Sequence, residues 1–183
     1  LKYNIPIDSE VVIFSGRLIK RKNVDLIMDS LIGFKKVFLL IIGDGEEKKR
    51  LSDLARQKGI DFAITGFIEE QEELFKMYYA GDILILPSYD EPWGLVVNEA
   101  MAAGLPVIVS NECGCSLDLV RDGENGYILT DLRNSETLRT LVMKALKNKE
   151  NFSKKSLEII DNWTFENSRK SFEELLKLLN NSE

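Results

Sequence analysis

Short apolar runs alternate with amphipathic segments along almost the entire chain. The run Val37–Ile42 consists only of large apolar residues, as expected of a buried strand. Between such runs, apolar residues recur at helical spacing, as at Val24, Ile27, Met28 and Leu31. Strands separated by helices require crossover connections between parallel neighbours. The pattern therefore predicts an α/β fold, a Rossmann-like parallel sheet with helices on both faces.

Glycine, proline and polar residues between these runs indicate where each element ends. A helix from about Glu46 is expected to end near Lys58, and Ser135 is expected to cap a helix that runs to about Lys147. The sequence shows no repeat and no internal linker, so residues 1–183 are predicted to form a single domain. The predicted strands are 11–14, 37–42, 62–64, 83–87, 106–109 and 127–129. The other predicted helices are 72–80, 94–103 and a helical stretch from 151. This last stretch is interrupted near 161–162 and ends in a helix of about 164–180.

Composition limits the classes of protein to which the chain can belong. Of its 183 residues, 44% are hydrophobic and 30% are charged, which suits one globular domain with a real core. No apolar run approaches the roughly 20 residues needed to span a bilayer. The net charge is −6 and the basic residues are dispersed, so no nucleic-acid partner is predicted. The sequence begins at Leu1 rather than Met, so we expect a piece of a longer protein.

The sequence contains no histidine and only two cysteines, Cys113 and Cys115. Within this chain, these counts exclude a Ser-His-Asp mechanism and a histidine base or ligand, and they argue against a disulfide framework. Two cysteines are too few for a zinc site, and no Asp-x-Asp motif is present to hold a metal-bound nucleotide. We therefore predict no metal, no cofactor and a reducing cytoplasmic location.

The first strand is followed by Gly16 and Arg17, and Lys22 lies where the next helix begins. Gly16 allows the backbone to approach a ligand closely. Arg17 and Lys22 bring two cations to a helix N-terminus, where backbone N–H groups and the helix dipole already favour phosphate. Charged hydrogen bonds of about 1.5–3 kcal/mol each would stabilise a leaving diphosphate. The alternative interpretation is an exposed basic loop that serves solubility.

Two carboxylates, Glu91 and Glu99, follow the fourth predicted strand. The first falls on the strand-to-helix loop and the second lies just over one turn inside the helix. In an open parallel sheet such loops lie at the carboxyl ends of the strands, where ligands bind. Because carboxylates accept hydrogen bonds from hydroxyl pairs, two acids in one crevice predict a polyhydroxylated ligand.

Three other segments lie on the same edge of the predicted sheet. The sequence 43–45, Gly-Asp-Gly, is interpreted as a tight turn. Gly66 permits a close approach in which the backbone near Phe67 reads the edge of a base, although Phe67 could equally anchor the core. Cys113 and Cys115 lie in a loop whose CxC spacing does not fit a redox pair.

Seven segments together carry a family resemblance that covers nearly the whole chain. They resemble the family-4 retaining glycosyltransferases of the GT-B fold, and the chain looks like the carboxyl-terminal, donor-binding half of such an enzyme. The resemblance implies that the active site lies in a cleft between two domains and that an amino-terminal acceptor domain is missing. The segments are 15–18 with 22–23, 43–45, 65–67, 91–99, 103–108, 122–126 and 163–164.

The resemblance also implies roles for individual residues. Arg17 and Lys22 bind the diphosphate of a UDP-, GDP- or ADP-sugar, and Glu91 meets the hydroxyls of the transferred sugar. The backbone around Phe67 contacts the base, and Glu99 accepts from the ribose hydroxyls. The implied catalytic residues are thus Glu91, Arg17 and Lys22, and the implied substrate-binding residues are Gly16, Gly66, Phe67, Trp93, Gly94, Leu95, Val96 and Glu99.

The implied reaction is metal-independent sugar transfer with retention, in polysaccharide, lipopolysaccharide or glycolipid synthesis. Glu91 can also be interpreted as a nucleophile, although hydroxyl binding is preferred. One departure from the family pattern is Asp118, which stands near the position of a usual Glu after the cysteine loop. Alternatives for the whole chain are a non-catalytic nucleotide-sugar-binding regulatory domain and half of a sugar-nucleotide epimerase.

The missing half has three further implications. The chain alone is expected to bind donor weakly and not to transfer, and any peripheral contact with the inner face of the membrane is assigned to the absent domain. The terminal helix is expected to pack on that domain through an apolar stripe. The predicted stripe consists of Phe165, Phe172, Leu175, Leu176 and Leu179.

Overall fold

Six parallel strands form one sheet in the computed structural model, which describes residues 3–180. The side chains of residues 165, 168, 171 and 178–180 lie outside this description. The strand order is β3-β2-β1-β4-β5-β6, so the direction of winding reverses between β1 and β4. The strands are β1 Glu10–Ser15, β2 Val37–Ile42, β3 Asp61–Ile64, β4 Ile83–Leu86, β5 Val107–Ser110 and β6 Gly126–Leu129.

Helices cover both faces of this sheet. They are α1 Val24–Leu31, α2 Lys48–Gln57, α3 Gln71–Tyr79, α4 Leu95–Ala102, α5 Ser116–Leu119, α6 Ser135–Lys147, α7 Lys149–Ile160 and α8 Phe165–Asn180. One layer contains α1 in contact with α2 and α6, and the other contains α4 in contact with α3 and α7. The predicted Rossmann-like α/β fold is confirmed.

The core lies between the sheet and these two layers. The strand residues Val12, Ile13, Leu39, Leu84 and Ile108 are fully buried. Burying each such side chain contributes about 1.5–3 kcal/mol, and a parallel sheet covered on both faces needs continuous apolar strands rather than alternating ones. This is why the apolar runs in the sequence predict the strands so directly.

The point of reversal positions the candidate site. Val12 pairs with Ile83 and Ile13 with Leu84, so β1 and β4 are neighbours although a long stretch of chain separates them. Their carboxyl ends open into a crevice because the connections from β1 and β4 leave in opposite directions. A 3-10 helix, Lys20–Lys22, follows β1 at this edge and precedes α1.

Several predicted boundaries need correction. Ser135 does not cap α6, because Asn134 does so: its side-chain oxygen accepts from the N–H groups of Glu136 and Thr137 at 3.1 and 3.0 Å. The helix expected from Glu46 begins at Lys48, and the stretch expected from residue 151 begins two residues earlier as α7. The four-residue helix α5 was not predicted, since one turn is too short to show a period.

Helix α8 carries part of the expected apolar stripe on its surface. Phe172, Leu175 and Leu176 are exposed, whereas the side chains of Phe165 and Leu179 lie outside the described residues. The helix itself matches the expected span of about 164–180. Within residues 3–180, no helix combines the length and apolar character required to cross a membrane.

Candidate functional site

A cavity of about 580 Å³ opens at the carboxyl ends of β1 and β2. Five of the sequence-predicted site residues lie on its wall: Gly16, Arg17, Phe67, Val96 and Glu99. Arg17 and Glu99 place a cation and a carboxylate on the same cavity. The remaining lining residues are Ser15, Ile42, Gly43, Asp44, Gly45, Ile68 and Leu74.

The segment 43–45 is more than the tight turn that its sequence suggested. Gly16 N–H donates to Ile42 O at 2.9 Å, and Leu18 N–H donates to Asp44 O at 2.9 Å. A Cβ atom at Gly43, whose φ is 140°, would overlap the carbonyl oxygen of Gly16. The two loops therefore approach so closely that only glycine fits, and together they form one wall of the cavity.

Lys22 and Glu91 form an ion pair beside this cavity rather than within its lining. Both side chains are 11% exposed, and an Arg21 nitrogen lies 3.8 Å from the same Glu91 oxygen. Tyr89 N–H donates to Arg21 O at 2.8 Å, which ties the 3-10 helix to the loop after β4. Of the two carboxylates expected to share one crevice, Glu99 lines the cavity and Glu91 is paired with Lys22.

Gly16 connects the ion pair to the cavity. A Cβ atom at Gly16 would lie 3.9 Å from Lys22 Nζ, so the ammonium group borders the glycine that lines the cavity. Arg21 was not predicted as a site residue. Its place in the basic run Lys20–Lys22 could have indicated a role in the site. Its guanidinium donates to Asp90 O at 2.9 Å, and this contact cannot be seen from sequence spacing.

Glu99 is held by a residue that the sequence did not single out. Tyr78 is fully buried on α3, and its hydroxyl donates to Glu99 Oε2 at 2.7 Å. Ser15 Oγ, at the end of β1, lies 2.9 Å from the same hydroxyl. Burial raises the pKa of Tyr78, so the phenol keeps its proton for this hydrogen bond. In the sequence, the only indication of this role was that Tyr78 carries a hydroxyl group on the predicted helix 72–80.

The loop from β4 to α4 is shaped by Gly94. Its φ is 95°, and a Cβ atom there would come within 3.0 Å of Leu86 Cδ2 and 3.5 Å of Cys115 Sγ. Leu95 follows as the first, exposed residue of α4. Trp93 Nε1 donates to Asn98 Oδ1 at 2.9 Å, which fixes the indole against the first turn of α4.

The cysteine loop supports the backbone of the Glu91 loop. Glu91 N–H donates to Glu112 O at 3.1 Å, Gly114 N–H to Glu91 O at 2.9 Å, and Cys115 N–H to Trp93 O at 3.1 Å. Both thiols are buried, and burial raises the pKa of Cys115 to about 12. These contacts give the segment a structural part in positioning residues 91–93.

The other predicted positions are also near the site. Gly66 pairs with Gly43 through a β-bridge, which brings the loop after β3 against the cavity wall. Phe67 is 78% exposed and lines the cavity, so the alternative interpretation of a core anchor is wrong. Asp118 lies exposed on α5. Within the described part of the chain, no group of three or more Cys, Asp and Glu residues is placed to hold a metal ion.

Comparisons with known proteins identify the family. The profile described as glycosyl transferases group 1 matches residues 2–163. The chain is 32% identical over 135 residues to a lipopolysaccharide core biosynthesis glycosyltransferase of Rhizobium meliloti, an alignment that covers 74% of the chain and 39% of the relative. It is 29% identical over 192 residues to the lipopolysaccharide 1,2-N-acetylglucosaminetransferase of Salmonella typhimurium, with 95% and 50% covered.

A crystal structure of Anabaena HepE in complex with UDP has a similar fold, with a TM-score of 0.76 at 22% identity. That match covers 93% of this chain and 49% of the other, and it agrees with the predicted Rossmann-like half of a GT-B fold. The chain thus spans half or less of the length of these three proteins. Because the profile match covers most of the sequence, the chain belongs to the glycosyl transferases group 1 family.

Proposed function

We propose that the chain is the donor-binding half of a glycosyltransferase that transfers a sugar from a nucleotide sugar in lipopolysaccharide, polysaccharide or glycolipid synthesis. The observation that carries this proposal is the cavity that both Arg17 and Glu99 line, beside the Lys22–Glu91 pair. A diphosphate needs cations, and a ribose needs a hydrogen-bond acceptor. The names of the relatives favour transfer over epimerisation or a purely regulatory role.

In this proposal each predicted site residue has a place along the donor. Arg17 and Lys22 bind the diphosphate, with Gly16 leaving room for it, and Glu91 binds the hydroxyls of the sugar. Gly66 and Phe67 are assigned to the base. The backbone of Trp93, Gly94 and Leu95 is assigned to the sugar and phosphate. Val96 and Glu99 are assigned to the ribose.

The proposed reaction keeps the anomeric configuration and needs no metal, because the two cations neutralise the leaving group. The bond between the anomeric carbon and the terminal phosphate oxygen breaks, and the acceptor oxygen bonds to that carbon on the same face. The acceptor proton passes to the departing phosphate. Two charged hydrogen bonds of about 1.5–3 kcal/mol each would accelerate departure by roughly 10³-fold.

Calorimetric titration of the chain with UDP-, GDP- and ADP-sugars tests the donor site. We expect one class of nucleotide to bind weakly, and Arg17→Gln to reduce its affinity about tenfold, since one charged hydrogen bond is lost. Arg56→Gln is the matched control, because Arg56 lies at the end of α2, on the opposite edge of the sheet, paired with Asp53. Failure of all three classes to bind would contradict the proposal.

The complete protein, with its acceptor domain, tests the reaction. We expect sugar transfer with retention by the complete protein and none by the chain alone, because the acceptor side of the cleft is absent from it. An epimerised donor without transfer, or full transfer activity by the isolated chain, would contradict the assignment.

A further inference from the structure

We infer that Tyr78 is a positioning residue that orients the Glu99 carboxylate toward the ribose through a directed hydrogen-bond chain from Ser15. The inference rests on the proposed donor-binding function and deepens it. Three elements converge here: Ser15 ends β1, Tyr78 lies on α3 and Glu99 lies on α4. Ser15 and Glu99 line the cavity, whereas Tyr78 is fully buried behind them.

The direction of the chain follows from counting protons. A phenol has one proton to donate, and an ionised carboxylate can only accept. Tyr78 therefore donates to Glu99 Oε2 at 2.7 Å, and its oxygen accepts from the hydroxyl of Ser15 at 2.9 Å. Because the phenol is buried, no solvent molecule competes for either bond.

The chain leaves the second carboxylate oxygen for a ligand. Glu99 Oε1 has no hydrogen-bond partner among the described residues, and the side chain lines the cavity. Fixing Oε2 from behind removes rotational freedom from the carboxylate before a ligand arrives. Such preorganisation strengthens binding mainly by reducing the ordering that binding must impose. A ribose hydroxyl that donates to Oε1 would therefore find this acceptor oxygen already held in the orientation needed for the hydrogen bond.

The test measures how much a ribose hydroxyl contributes to binding, with and without the Tyr78 hydroxyl. The wild-type chain and Tyr78→Phe are titrated with UDP, GDP and ADP, and then with the 2′-deoxy and 3′-deoxy forms of the nucleotide that binds. In the wild type, we expect removal of the contacting hydroxyl to weaken binding about tenfold or more, as for a charged hydrogen bond. The ratio to compare is the Kd of the deoxy nucleotide divided by the Kd of the ribose nucleotide. In Tyr78→Phe, this ratio should be at least about threefold smaller than in the wild type.

The ratio separates positioning from folding, because loss of stability weakens both nucleotides equally. Tyr79→Phe is the matched control: it changes the neighbouring residue in the same way, and Tyr79 is exposed. Ser15→Ala provides a second variant, in which the Tyr78–Glu99 bond remains and the ratio should fall less than in Tyr78→Phe.

Each outcome bears on a different claim. A ratio in Tyr78→Phe that differs less than threefold from the wild type overturns the role of Tyr78 and leaves donor binding intact. Equal affinity of the wild type for ribose and deoxyribose nucleotides overturns the role of Glu99 as well. No binding of UDP, GDP or ADP by the wild type contradicts the proposed function itself.

Discussion

Lys22 and Glu91, 69 residues apart in the chain, meet as an ion pair between the 3-10 helix after β1 and the loop after β4. Both side chains are mostly shielded, so each charge interacts more strongly than at an open surface. Lys22 is proposed to bind donor phosphate, and its ammonium group is paired with Glu91. A diphosphate that binds Lys22 therefore competes with Glu91 for the ammonium group.

This relationship predicts opposite effects of Glu91→Gln on binding and on turnover. Nucleoside diphosphate affinity should rise about fivefold, since a competitor worth roughly 1 kcal/mol is removed. Transfer by the complete protein should fall about 10- to 100-fold, because a charged contact with the sugar is lost. Titration with the nucleoside diphosphate and a steady-state assay measure the two effects.

Glu69→Gln is the matched control for this prediction, since Glu69 is exposed in the loop between β3 and α3. Near-normal turnover of Glu91→Gln in the complete protein would exclude an essential role for the Glu91 charge. Unchanged nucleotide affinity would exclude competition for Lys22.

Gly43→Ala should disturb the cavity wall. The added Cβ would overlap the carbonyl of Gly16, so the two loops would have to separate, and we expect destabilisation of about 2 kcal/mol or more. Chemical denaturation measures the free energy of unfolding, and titration measures the accompanying loss of nucleotide affinity.

Gly33→Ala separates the clash from backbone strain. Gly33 also has a positive φ, 80°, but a Cβ atom there would meet nothing within 4 Å. Gly33→Ala should therefore lower the free energy of unfolding by only about 1 kcal/mol, through backbone strain, and leave nucleotide binding unchanged. Equal losses of stability in the two variants would show that the close approach of residues 16 and 43 is unimportant.

The sequence was a good guide wherever the determining forces were local. The buried strands were predicted because each needs an uninterrupted apolar run, as in Val37–Ile42. Phosphate-site candidates could be proposed from the sequence because glycines and cations follow particular strands. The cap of α6 was misplaced by one residue because Asn134 and Ser135 are both good capping residues and only the backbone conformation decides between them.

The long-range pairings could not be predicted from the sequence. That Lys22 would pair with Glu91, and that Tyr78 would hold Glu99, depends on how the loops after β1 and β4 and the helices α3 and α4 meet in space. The cysteine loop is a similar case: its hydrogen bonds to Glu91 and Trp93 run between backbone atoms, which leave no signature in residue type.

Cys113 and Cys115 should be unreactive in the folded chain. Burial raises the pKa of both thiols, that of Cys115 to about 12, and the thiolate is the reactive form. The folded state therefore disfavours thiolate at pH 8, and reactivity should increase only as the pH rises well above 8 or as the chain unfolds. Iodoacetamide labelling at pH 8, followed by mass spectrometry, measures this.

The guanidinium-unfolded chain is the control, and it should label at both cysteines. Because the cysteine loop bonds to the backbone of Glu91 and Trp93, labelling of the folded chain would report that this loop opens. Rapid modification of either thiol under native conditions would contradict the buried, supporting role assigned to the loop.

Trp93 and Trp163, the only tryptophans in the chain, contact each other with ring centroids 5.5 Å apart. Trp93 lies in the loop proposed to contact the sugar, and Trp163, 43% exposed, lies between α7 and α8. Such an aromatic pair contributes about 0.5–1.5 kcal/mol beyond burial. The connection between α7 and α8 therefore supports the loop that carries Gly94.

Trp163→Phe should weaken this support and affect sugar recognition selectively. We expect nucleotide-sugar affinity to fall about two- to fivefold, within the contribution of an aromatic pair. Free nucleoside diphosphate should bind as before, because the aromatic pair supports the loop proposed to contact the sugar, whereas Arg17 and Lys22 are the residues proposed to bind the diphosphate. Phe172→Leu, an exposed change on α8, is the control. Equal losses for sugar nucleotide and diphosphate would indicate a general loss of folding, whereas no loss for either would show that the pair does not position the loop.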